Sequence, residues 1–273
     1  MTYREVINNQ YSRSNLGTKI IHALEAEGLT DSKSILKSLA SIEDIHTRGR
    51  LATIELAQEI GIEEQMKVLD IGCGIGGPAR AIAGKFRCSV IGIDLCKEYC
   101  QAAESLNKIT GFDNKIKIIE GNILDTVFDN KSFDIILIQH VVVNIKKKQR
   151  LFAQIHKILK PNGKLAIYEI CAGTNSPVIY PVVWADDSSL DHLISPHELR
   201  QIIISTGFNE LMWKDETEKV IESYDIIRVN KGKNPTTTIN YGLVIPNFVQ
   251  KGRNIIRNLK EGRIVVFKGI FTK

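Results

Sequence analysis

Between Met66 and Ile170, short apolar runs alternate with longer segments whose apolar residues recur at three- and four-residue steps. The short runs are typical of strands buried on both faces, and the longer segments have the period of amphipathic helices. Alternation of this kind indicates a parallel sheet covered by helices on both sides. The predicted strands are Lys67–Ile71, Ser89–Ile93, Ile116–Glu120, Phe133–Ile138 and Lys164–Ile170, followed later in the chain by Glu210–Lys214 and Arg263–Phe271. The sequence therefore predicts an α/β fold with a seven-stranded, mostly parallel sheet.

Helices are predicted between these strands and before the first of them. The core helices are Gly77–Lys85, Lys97–Ile109, Lys148–Leu159 and Pro196–Ser205, and Pro161-Asn162-Gly163 predicts a turn before the fifth strand. The first sixty residues read as helices, because Ile20, Ile21, Leu24 and later Ile35, Leu36, Leu39 recur with helical spacing, and a third helix runs near Arg50–Ile60. We expect residues 1–60 to form a helical cap on a core domain of residues 61–273. Residues 171–194 are expected to be irregular, and the region after the sixth strand is mixed in character.

The composition excludes several classes of protein. Of the 273 residues, 43% are hydrophobic and 25% are charged, which is ordinary for a globular chain and excludes a disordered or fibrous one. No apolar stretch reaches the roughly 18 residues that a membrane span needs. The net charge of +5 is small, and the basic run Lys146-Lys147-Lys148 is typical of a solvated helix start, so no nucleic-acid partner is predicted. The N-terminal residues do not resemble a signal peptide, so we expect a cytoplasmic protein, monomeric or homodimeric.

The five cysteines contain no C-x-x-C pair. An odd number of cysteines without that spacing argues against a disulfide framework or a structural zinc site. We therefore expect buried reduced thiols and no metal site. The cysteines are Cys73, Cys88, Cys96, Cys100 and Cys171.

A glycine-rich segment follows the first predicted strand and leads into a helix. Its pattern is Asp70-x-Gly72-x-Gly74-x-Gly76-Gly77. Glycines at such a turn let the backbone approach a ligand closely and present N–H groups at the start of a helix. The G-x-G-x-x-G pattern alone is a weak signal for a dinucleotide, and a tight turn without a ligand is the simplest alternative.

Two acidic residues narrow the choice of ligand. Asp70 precedes the first glycine, where a carboxylate would repel a pyrophosphate but would suit an ammonium group. Asp94 ends the second predicted strand, the position at which an acid accepts hydrogen bonds from the two hydroxyls of a ribose. Each acid alone could cap a helix. Together they favour a nucleoside with an amino-acid tail as the ligand.

These residues resemble the class I S-adenosylmethionine-dependent methyltransferases, which have a Rossmann-like fold. Supporting matches are Glu120-Gly121-Asn122-Ile123 after the third strand, Gln139 at the end of the fourth, and Leu159-Lys-Pro161-Asn-Gly163 before the fifth. The resemblance implies S-adenosylmethionine as cofactor and S-adenosylhomocysteine as product. By this resemblance the cofactor-binding residues are Asp70, Gly72, Gly74, Gly76, Asp94, Leu95, Asn122, Ile123 and Gln139, with Thr47 and Gly49 closing over the cofactor's carboxylate end.

Within that class the chain resembles the sarcosine/dimethylglycine and phosphoethanolamine N-methyltransferases. The residues that carry this likeness are His46-Thr47-Arg48-Gly49-Arg50 and Tyr180-Pro181-Val-Val-Trp184-Ala-Asp186. It predicts methylation of a small amine; the alternative is C- or O-methylation of a hydrophobic acceptor such as a quinone or polyketide. The predicted substrate-binding residues are His46, Arg48, Arg50, Asn144, Tyr180 and Trp184, in which aromatic faces suit a cationic nitrogen and an arginine suits an anionic group.

Two departures from the relatives concern the acid–base chemistry. His140 stands where the betaine-pathway relatives have an acid, and Asn144 stands where the phospho-base relatives have a histidine that acts with an N-terminal tyrosine, here Tyr11. Methyl transfer needs mainly alignment of the nucleophile and exclusion of water. Where a proton must leave, His140 is the candidate base, with Tyr11 as the second candidate catalytic residue. An NAD-linked oxidoreductase and a binding module without turnover are the competing functional classes.

Overall fold

The computed structural model describes residues 3–125, 128–230 and 238–273, and a single seven-stranded sheet forms its centre. The strands are β1 (Lys67–Ile71), β2 (Ser89–Asp94), β3 (Ile116–Glu120), β4 (Phe133–Gln139), β5 (Leu159–Ala172), β6 (Asn209–Asp215) and β7 (Ile264–Thr272). Their order across the sheet is β3-β2-β1-β4-β5-β7-β6. β1 to β5 pair in parallel, and β7 is antiparallel to both of its neighbours. The predicted α/β fold is confirmed.

Helices cover both faces of this sheet. They are α1 (Tyr3–Tyr11), α2 (Leu16–Ala26), α3 (Ser32–Leu39), α4 (Gly49–Ile60), α5 (Gly77–Phe86), α6 (Lys97–Thr110), α7 (Lys148–Ile158), α8 (Pro196–Ser205), α9 (Thr217–Asn230) and α10 (Phe248–Lys260), with short 3₁₀ turns at Val142–Asn144, Ser188–Leu190 and Tyr241–Leu243. Local sequence fixes several helix ends. Ser195 and Glu198 form a reciprocal capping box at the start of α8, and Gly111 ends α6 with a φ of 75°.

Alternate residues of the strands supply the two halves of the core. In β1, Val68 packs toward α4 and α5, whereas Leu69 packs toward α7 and α8, as the two-residue period of a strand requires. A third apolar cluster joins α2 and α3 to α6 and contains Leu16, Ile20, Leu24, Ile35, Leu39 and Leu106. Of the N-terminal helices, α2 and α3 are therefore anchored to the sheet through α6, whereas α1 and α4 belong to the cluster around Val68. The division into a cap of residues 1–60 and a core of 61–273 stays a prediction.

The turn predicted at Pro161-Asn162-Gly163 lies inside β5. The strand begins at Leu159 because Leu159 already pairs with Phe133, and the pairing resumes at Lys164 opposite Ile135. The residues between them bulge out of the ladder, with Asn162 at a φ of 62°. The prediction that a turn separates the preceding helix from the fifth strand was thus wrong, because the strand already begins before Pro161 and continues after Gly163.

A long insertion separates the two strands at the antiparallel edge. Residues 216–263 lie between β6 and β7 and contain α9 and α10, which the sequence analysis left within a mixed region. Across the described residues, no helix combines the length and the apolar character needed to cross a bilayer. The five cysteines are buried free thiols, as predicted.

Candidate active site

A cleft of about 1140 Å³ opens at the carboxyl ends of β1, β2 and β4. Ligands of open α/β sheets bind at this edge, where neighbouring connections diverge to opposite faces. One wall consists of the loops that follow these strands. The segment 40–51, which leads into α4, and the insertion between β6 and β7 form the others.

The glycine-rich turn after β1 has a backbone that only glycine adopts readily. Gly72, Gly74 and Gly76 have φ values of 72°, 54° and 84°. A Cβ on Gly72 would lie 2.3 Å from Val141 Cγ2, so the turn after β1 and the loop after β4 are in direct contact. Gly74 lies at the cleft surface, where a Cβ would meet no atom closer than 4.0 Å. Gly76 does not line the cleft and instead packs against the Arg80 guanidinium.

Asp70 is a buried carboxylate on the floor of the cleft. Its side chain is 2% exposed, and no described residue donates a hydrogen bond to its Oδ2 atom. Burial, with smaller contributions from the charges of Asp44 and Asp94, raises the pKa of Asp70 to about 7. A buried carboxyl without a partner is costly, and a cation bound beside it would supply the missing interaction. The ammonium group of S-adenosylmethionine fits this requirement.

Asp94 is held rigidly at the end of β2. Its two carboxylate oxygens accept hydrogen bonds from the backbone N–H groups of Gly74 and Cys96, both at 2.9 Å. Each oxygen keeps further acceptor capacity, which suits a pair of ribose hydroxyls. Burial raises the pKa of Asp94. The orphaned carboxylate, the glycine cradle and this oriented second carboxylate together fit the predicted cofactor.

Leu95, Asn122 and Ile123 line the same end of the cleft. The Asn122 side chain is used locally: its Oδ1 accepts from the Leu124 N–H at 3.0 Å, and its Nδ2 donates to Asp125 at 2.8 Å. We therefore expect Asn122 to shape the turn beside an adenine ring in addition to any direct contact with the ring.

A chain of side chains beside the cleft includes His140. The Thr47 hydroxyl donates to the Tyr168 hydroxyl at 3.0 Å and lies 3.3 Å from His140 Nε2. The imidazole of His140 stacks on the Tyr168 ring, with centroids 5.3 Å apart. Since the Thr47 hydroxyl donates its hydrogen to Tyr168, its oxygen can accept a hydrogen bond from Nε2–H, and in that tautomer Nδ1 of His140 is the basic nitrogen.

Both histidines of the cleft are neutral at physiological pH. Burial, and the neighbouring His46, hold the pKa of His140 well below its usual value. Burial likewise lowers the pKa of His46. The Gln139 amide nitrogen donates to His46 Nε2 at 2.9 Å, and Thr53 Oγ1 lies 2.9 Å from the same nitrogen. His46 is thus fixed in place, whereas His140 keeps one ring nitrogen for the cleft.

Tyr11, Asn144 and Trp184 form a second hydrogen-bonded group on the cleft wall. The Tyr11 hydroxyl donates to Asn144 Oδ1 at 2.9 Å, and Asn144 Nδ2 donates to the carbonyl oxygens of Trp184 and Leu190 at 3.0 Å each. These bonds tie α1 to the loop after β5. Trp184 is 3% exposed and presents part of its indole to the cleft.

The two candidate substrate-binding arginines are already paired with carboxylates. Arg48 makes a bidentate contact with Glu55, with both distances 2.8 Å, and Arg50 bonds to Glu43 and to Asp44. Releasing Arg50 would deprive the buried Asp44 of its arginine partner, whereas Glu43 also pairs with Arg80 and Glu55 also pairs with Lys219. Although both line the cleft, neither guanidinium is available to hold a phosphate or carboxylate of a substrate.

Tyr180 lies outside the cleft. Its hydroxyl donates to Asp191 Oδ2 at 2.6 Å, and the partly buried side chain packs against the core cluster that contains Val68. The structure thus brings together the other predicted substrate-binding residues but not Tyr180, because the chain turns between Tyr180 and Trp184.

Some residues that build the cleft were not predicted from the sequence. Glu169 accepts the backbone N–H groups of Val141 and Val142 at 3.0 and 3.2 Å and so fixes the loop that carries His140. Burial raises the pKa of Glu169 to about 8. The sequence signal that could have indicated Glu169 is a single acidic residue inside an otherwise apolar strand. The insertion supplies the remaining wall, chiefly Tyr224, Tyr241, Ile245, Phe248, Val249 and Ile256.

Comparison with known proteins agrees with this geometry. Residues 69–167 match the family model described as a methyltransferase domain. The chain is 33% identical over 114 residues to the sterol 24-C-methyltransferase of Debaryomyces hansenii. That alignment spans 42% of this chain and 30% of the relative, so the chain covers less than a third of its length.

Two solved structures share the fold at low identity. A phosphoethanolamine N-methyltransferase of Haemonchus contortus, solved with phosphomonomethylethanolamine and S-adenosylhomocysteine, has a TM-score of 0.73 at 20% identity, covering 100% of this chain and 61% of that one. The geranyl diphosphate C-methyltransferase of Streptomyces coelicolor has a TM-score of 0.71 at 14% identity, covering 100% and 98%. The resemblance predicted from the sequence is confirmed, and S-adenosylmethionine is the cofactor of the class that the chain resembles. The chain thus contains a methyltransferase domain over residues 69–167 and resembles the class I S-adenosylmethionine-dependent methyltransferases.

Proposed function

We propose that the protein transfers the methyl group of S-adenosylmethionine to a carbon atom of an uncharged, apolar small molecule. This is the alternative that the sequence analysis weighed against methylation of a small amine. The observation that carries it is the character of the acceptor side of the cleft, where the walls are apolar and both arginines are paired with carboxylates.

The charges of the cleft disfavour phosphorylated acceptors such as phosphoethanolamine and geranyl diphosphate. A phosphate or diphosphate would need cationic partners inside the cleft, and Arg253, which forms no ion pair with a described residue, is exposed at the mouth. Arg48 is bound to Glu55, and Arg50 is bound to Glu43 and Asp44. The buried acids would repel an anion. A neutral acceptor avoids both costs.

The sequence relationship supports transfer to carbon. The curated relative with 33% identity is a sterol C-methyltransferase. The family match ends at residue 167, whereas the insertion that forms much of the acceptor wall spans residues 216–263. The relationship therefore supports the type of transfer, and the lining of the cleft supports the apolar character of the acceptor.

The residues of this chain would act by alignment and by accepting a proton. The bound cofactor supplies an electrophilic methyl group. Asp70 would pair with its ammonium group and Asp94 with its ribose hydroxyls. When a methyl group replaces hydrogen on carbon, one proton must leave the acceptor, and Nδ1 of His140 would take it. Thr47 and Tyr168 hold that imidazole in the required tautomer, and Tyr11 and Asn144 keep the neighbouring wall closed.

The test is a turnover screen with isotopically labelled methyl donor. The acceptors are a detergent-solubilised sterol alkene, a quinone, sarcosine, phosphoethanolamine and geranyl diphosphate, with Asp70→Asn protein as the matched inactive control. We expect label in the neutral apolar acceptors and a new carbon-bound methyl signal in the product's NMR spectrum. Label in sarcosine or in either phosphorylated compound, with the apolar acceptors unmodified, would refute the proposal.

A further inference from the structure

Exposed apolar side chains gather around the mouth of the cleft. Among the residues that the structure describes, four large apolar side chains are more than half exposed: Leu51 at 57%, Leu211 at 57%, Ile226 at 61% and Val249 at 62%. Leu51, Ile226 and Val249 line the cleft and come from three elements, α4, α9 and α10, whereas Leu211 lies on β6 away from it. Scattered exposed apolar residues need no explanation, but convergence of three on one opening indicates a contact surface.

The charge of α10 indicates what this surface contacts. The helix carries four basic residues and no acidic one. Lys251, Arg257 and Lys260 form ion pairs with Asp186, Glu261 and Asp225. Arg253, one turn after Val249, is exposed at the mouth and makes no ion pair with a described residue.

On the α9 side the exposed acid Glu222 lies one turn before Ile226. We therefore assign the electrostatic part of the contact to α10. A surface that binds an anionic membrane typically combines exposed apolar side chains with an unpaired cation. The aliphatic groups then lie at the level of the acyl chains, and the cation lies among the headgroups.

We propose that the mouth of the cleft docks on an anionic lipid bilayer through Leu51, Ile226, Val249 and Arg253. The inference rests on the proposed function, because an uncharged apolar acceptor partitions into a bilayer. Docking would let the acceptor pass from lipid into the apolar wall of the cleft without crossing water. The apolar side chains that are exposed in the free protein would then be covered.

The experiment is flotation of the full-length protein with vesicles of phosphatidylcholine alone or with 30% phosphatidylglycerol, about the anionic fraction that binds basic surfaces. The rim variant is Ile226→Asp with Val249→Asp, and the matched control is Leu211→Asp, which adds a charge at a side chain of equal exposure outside the cleft. Arg253→Gln tests the charge separately. Thermal unfolding of every variant verifies that it is folded.

We expect wild type and Leu211→Asp to float with the anionic vesicles equally well, and the rim variant to bind about tenfold or more weakly because two aliphatic anchors are replaced by anions. Arg253→Gln should weaken binding to anionic vesicles and leave binding to neutral vesicles unchanged. Equal flotation of wild type and rim variant, or no flotation of wild type, would overturn the proposal.

Two further measurements distinguish membrane docking from the proposed function and from self-association of the protein. Turnover of a detergent-solubilised acceptor, without vesicles, reports the proposed function independently of docking; turnover without vesicle binding refutes docking alone. Sedimentation velocity tests a second copy of the chain as the occupant of the rim. A wild-type dimer that the rim variant dissociates, together with absence of vesicle binding, would also overturn the lipid assignment.

Discussion

Asp70 is kept buried and without a hydrogen-bond partner at Oδ2 although this destabilises the ligand-free protein. Its pKa is raised from 3.8 to about 7, so the folded state holds this proton more tightly than the unfolded state does. The unfolding free energy therefore falls as the pH rises between about 4 and about 7 and is unaffected by this group above that range. The loss is on the order of a few kcal/mol for a shift of this size.

Asp70→Asn removes this cost and the cofactor's partner together. We expect the ligand-free variant to be more stable than wild type at pH 8, with little difference at pH 4, and to lose most of its affinity for S-adenosylhomocysteine. In wild type, affinity should decline below pH 7, because protonation removes the charge that pairs with the ammonium group. Urea unfolding at both pH values and calorimetry measure these effects. A variant that binds the product normally would contradict the role of Asp70.

Thr47 determines which nitrogen of His140 is basic. Thr47→Val removes the hydroxyl that receives Nε2–H and bonds to Tyr168. We expect kcat to fall about tenfold to a hundredfold, at most the lower end of the roughly 10²- to 10⁴-fold that general acid–base catalysis contributes, because the imidazole itself remains. Thr47→Ser keeps the hydroxyl and should keep most of the rate. Nitrogen NMR of the imidazole should show a mixture of tautomers in the valine variant only. Equal rates in the two variants would show that the hydroxyl plays no part.

The pH profile gives a further check on His140. Because its pKa lies well below 6.5, kcat measured at saturating S-adenosylmethionine, where the titration of Asp70 does not limit binding, should show no limb near 6.5. A limb at that value that disappears in His140→Gln would mean that the imidazole is more hydrated during turnover than in the free protein.

At the scale of elements, the site depends on contact between two loops. The turn after β1 touches the loop after β4 at Gly72 and Val141, and Glu169 on β5 holds that second loop by its backbone. Three neighbouring strands are thus coupled at the edge where the cofactor would lie.

Gly72→Ala tests this coupling against a matched glycine. Its φ of 72° and the 2.3 Å approach of Val141 Cγ2 make any Cβ both strained and obstructed. Gly111→Ala has the same strain, at a φ of 75°, but no atom within 4 Å. We expect Gly111→Ala to cost about 1 kcal/mol of stability and to leave binding intact. Gly72→Ala should cost more and should weaken S-adenosylhomocysteine binding; equal effects on Tm and Kd would contradict the coupling.

For the whole molecule, the part that would bind the methyl donor was more predictable from the sequence than the part that would bind the methyl acceptor. The strands β1 and β3 have the predicted limits, since buried parallel strands leave continuous apolar runs in the sequence. The glycines and acids that follow the strands could be predicted because the chemistry of the ligand requires them. The helices of the insertion were missed. In α10, Ile255 and Leu259 have helical spacing, but its many basic residues and the glycine at 252 obscured the apolar face.

The ion pairs could not be predicted either. Arg48 and Arg50 were candidates for substrate binding, and nothing in a sequence shows that Glu55, Glu43 and Asp44 fold against them. These partners are only six or seven residues apart, but their pairing depends on how the segment before α4 folds back on that helix. The same limit explains Tyr180, whose partner Asp191 lies eleven residues further along an irregular loop.

The segment between β6 and β7 should determine which acceptor binds without changing the affinity for S-adenosylmethionine. Ile256 on α10 lines the cleft, and Ile256→Trp would fill part of it. We expect KM for a large apolar acceptor to rise about tenfold, as steric exclusion of a few methylene groups costs roughly 1–3 kcal/mol, with an unchanged Kd for S-adenosylhomocysteine. Ile204→Trp on α8, outside the cleft, is the control. A change in the donor Kd would show that the two halves of the cleft are not independent.

Both ends of the insertion emerge from adjacent strands of one hairpin edge. Asp215 at the end of β6 pairs with Phe267, only three residues after β7 begins at Ile264, and the Glu216 N–H donates to the Val266 carbonyl at 2.8 Å. A segment that leaves and returns at almost the same point can be exchanged for another of different length with little demand on the rest of the chain. We therefore expect the segment 216–263 to be exchangeable as a unit. Replacing it with the corresponding segment of another methyltransferase of this fold should change which acceptor is methylated, while S-adenosylmethionine remains the methyl donor.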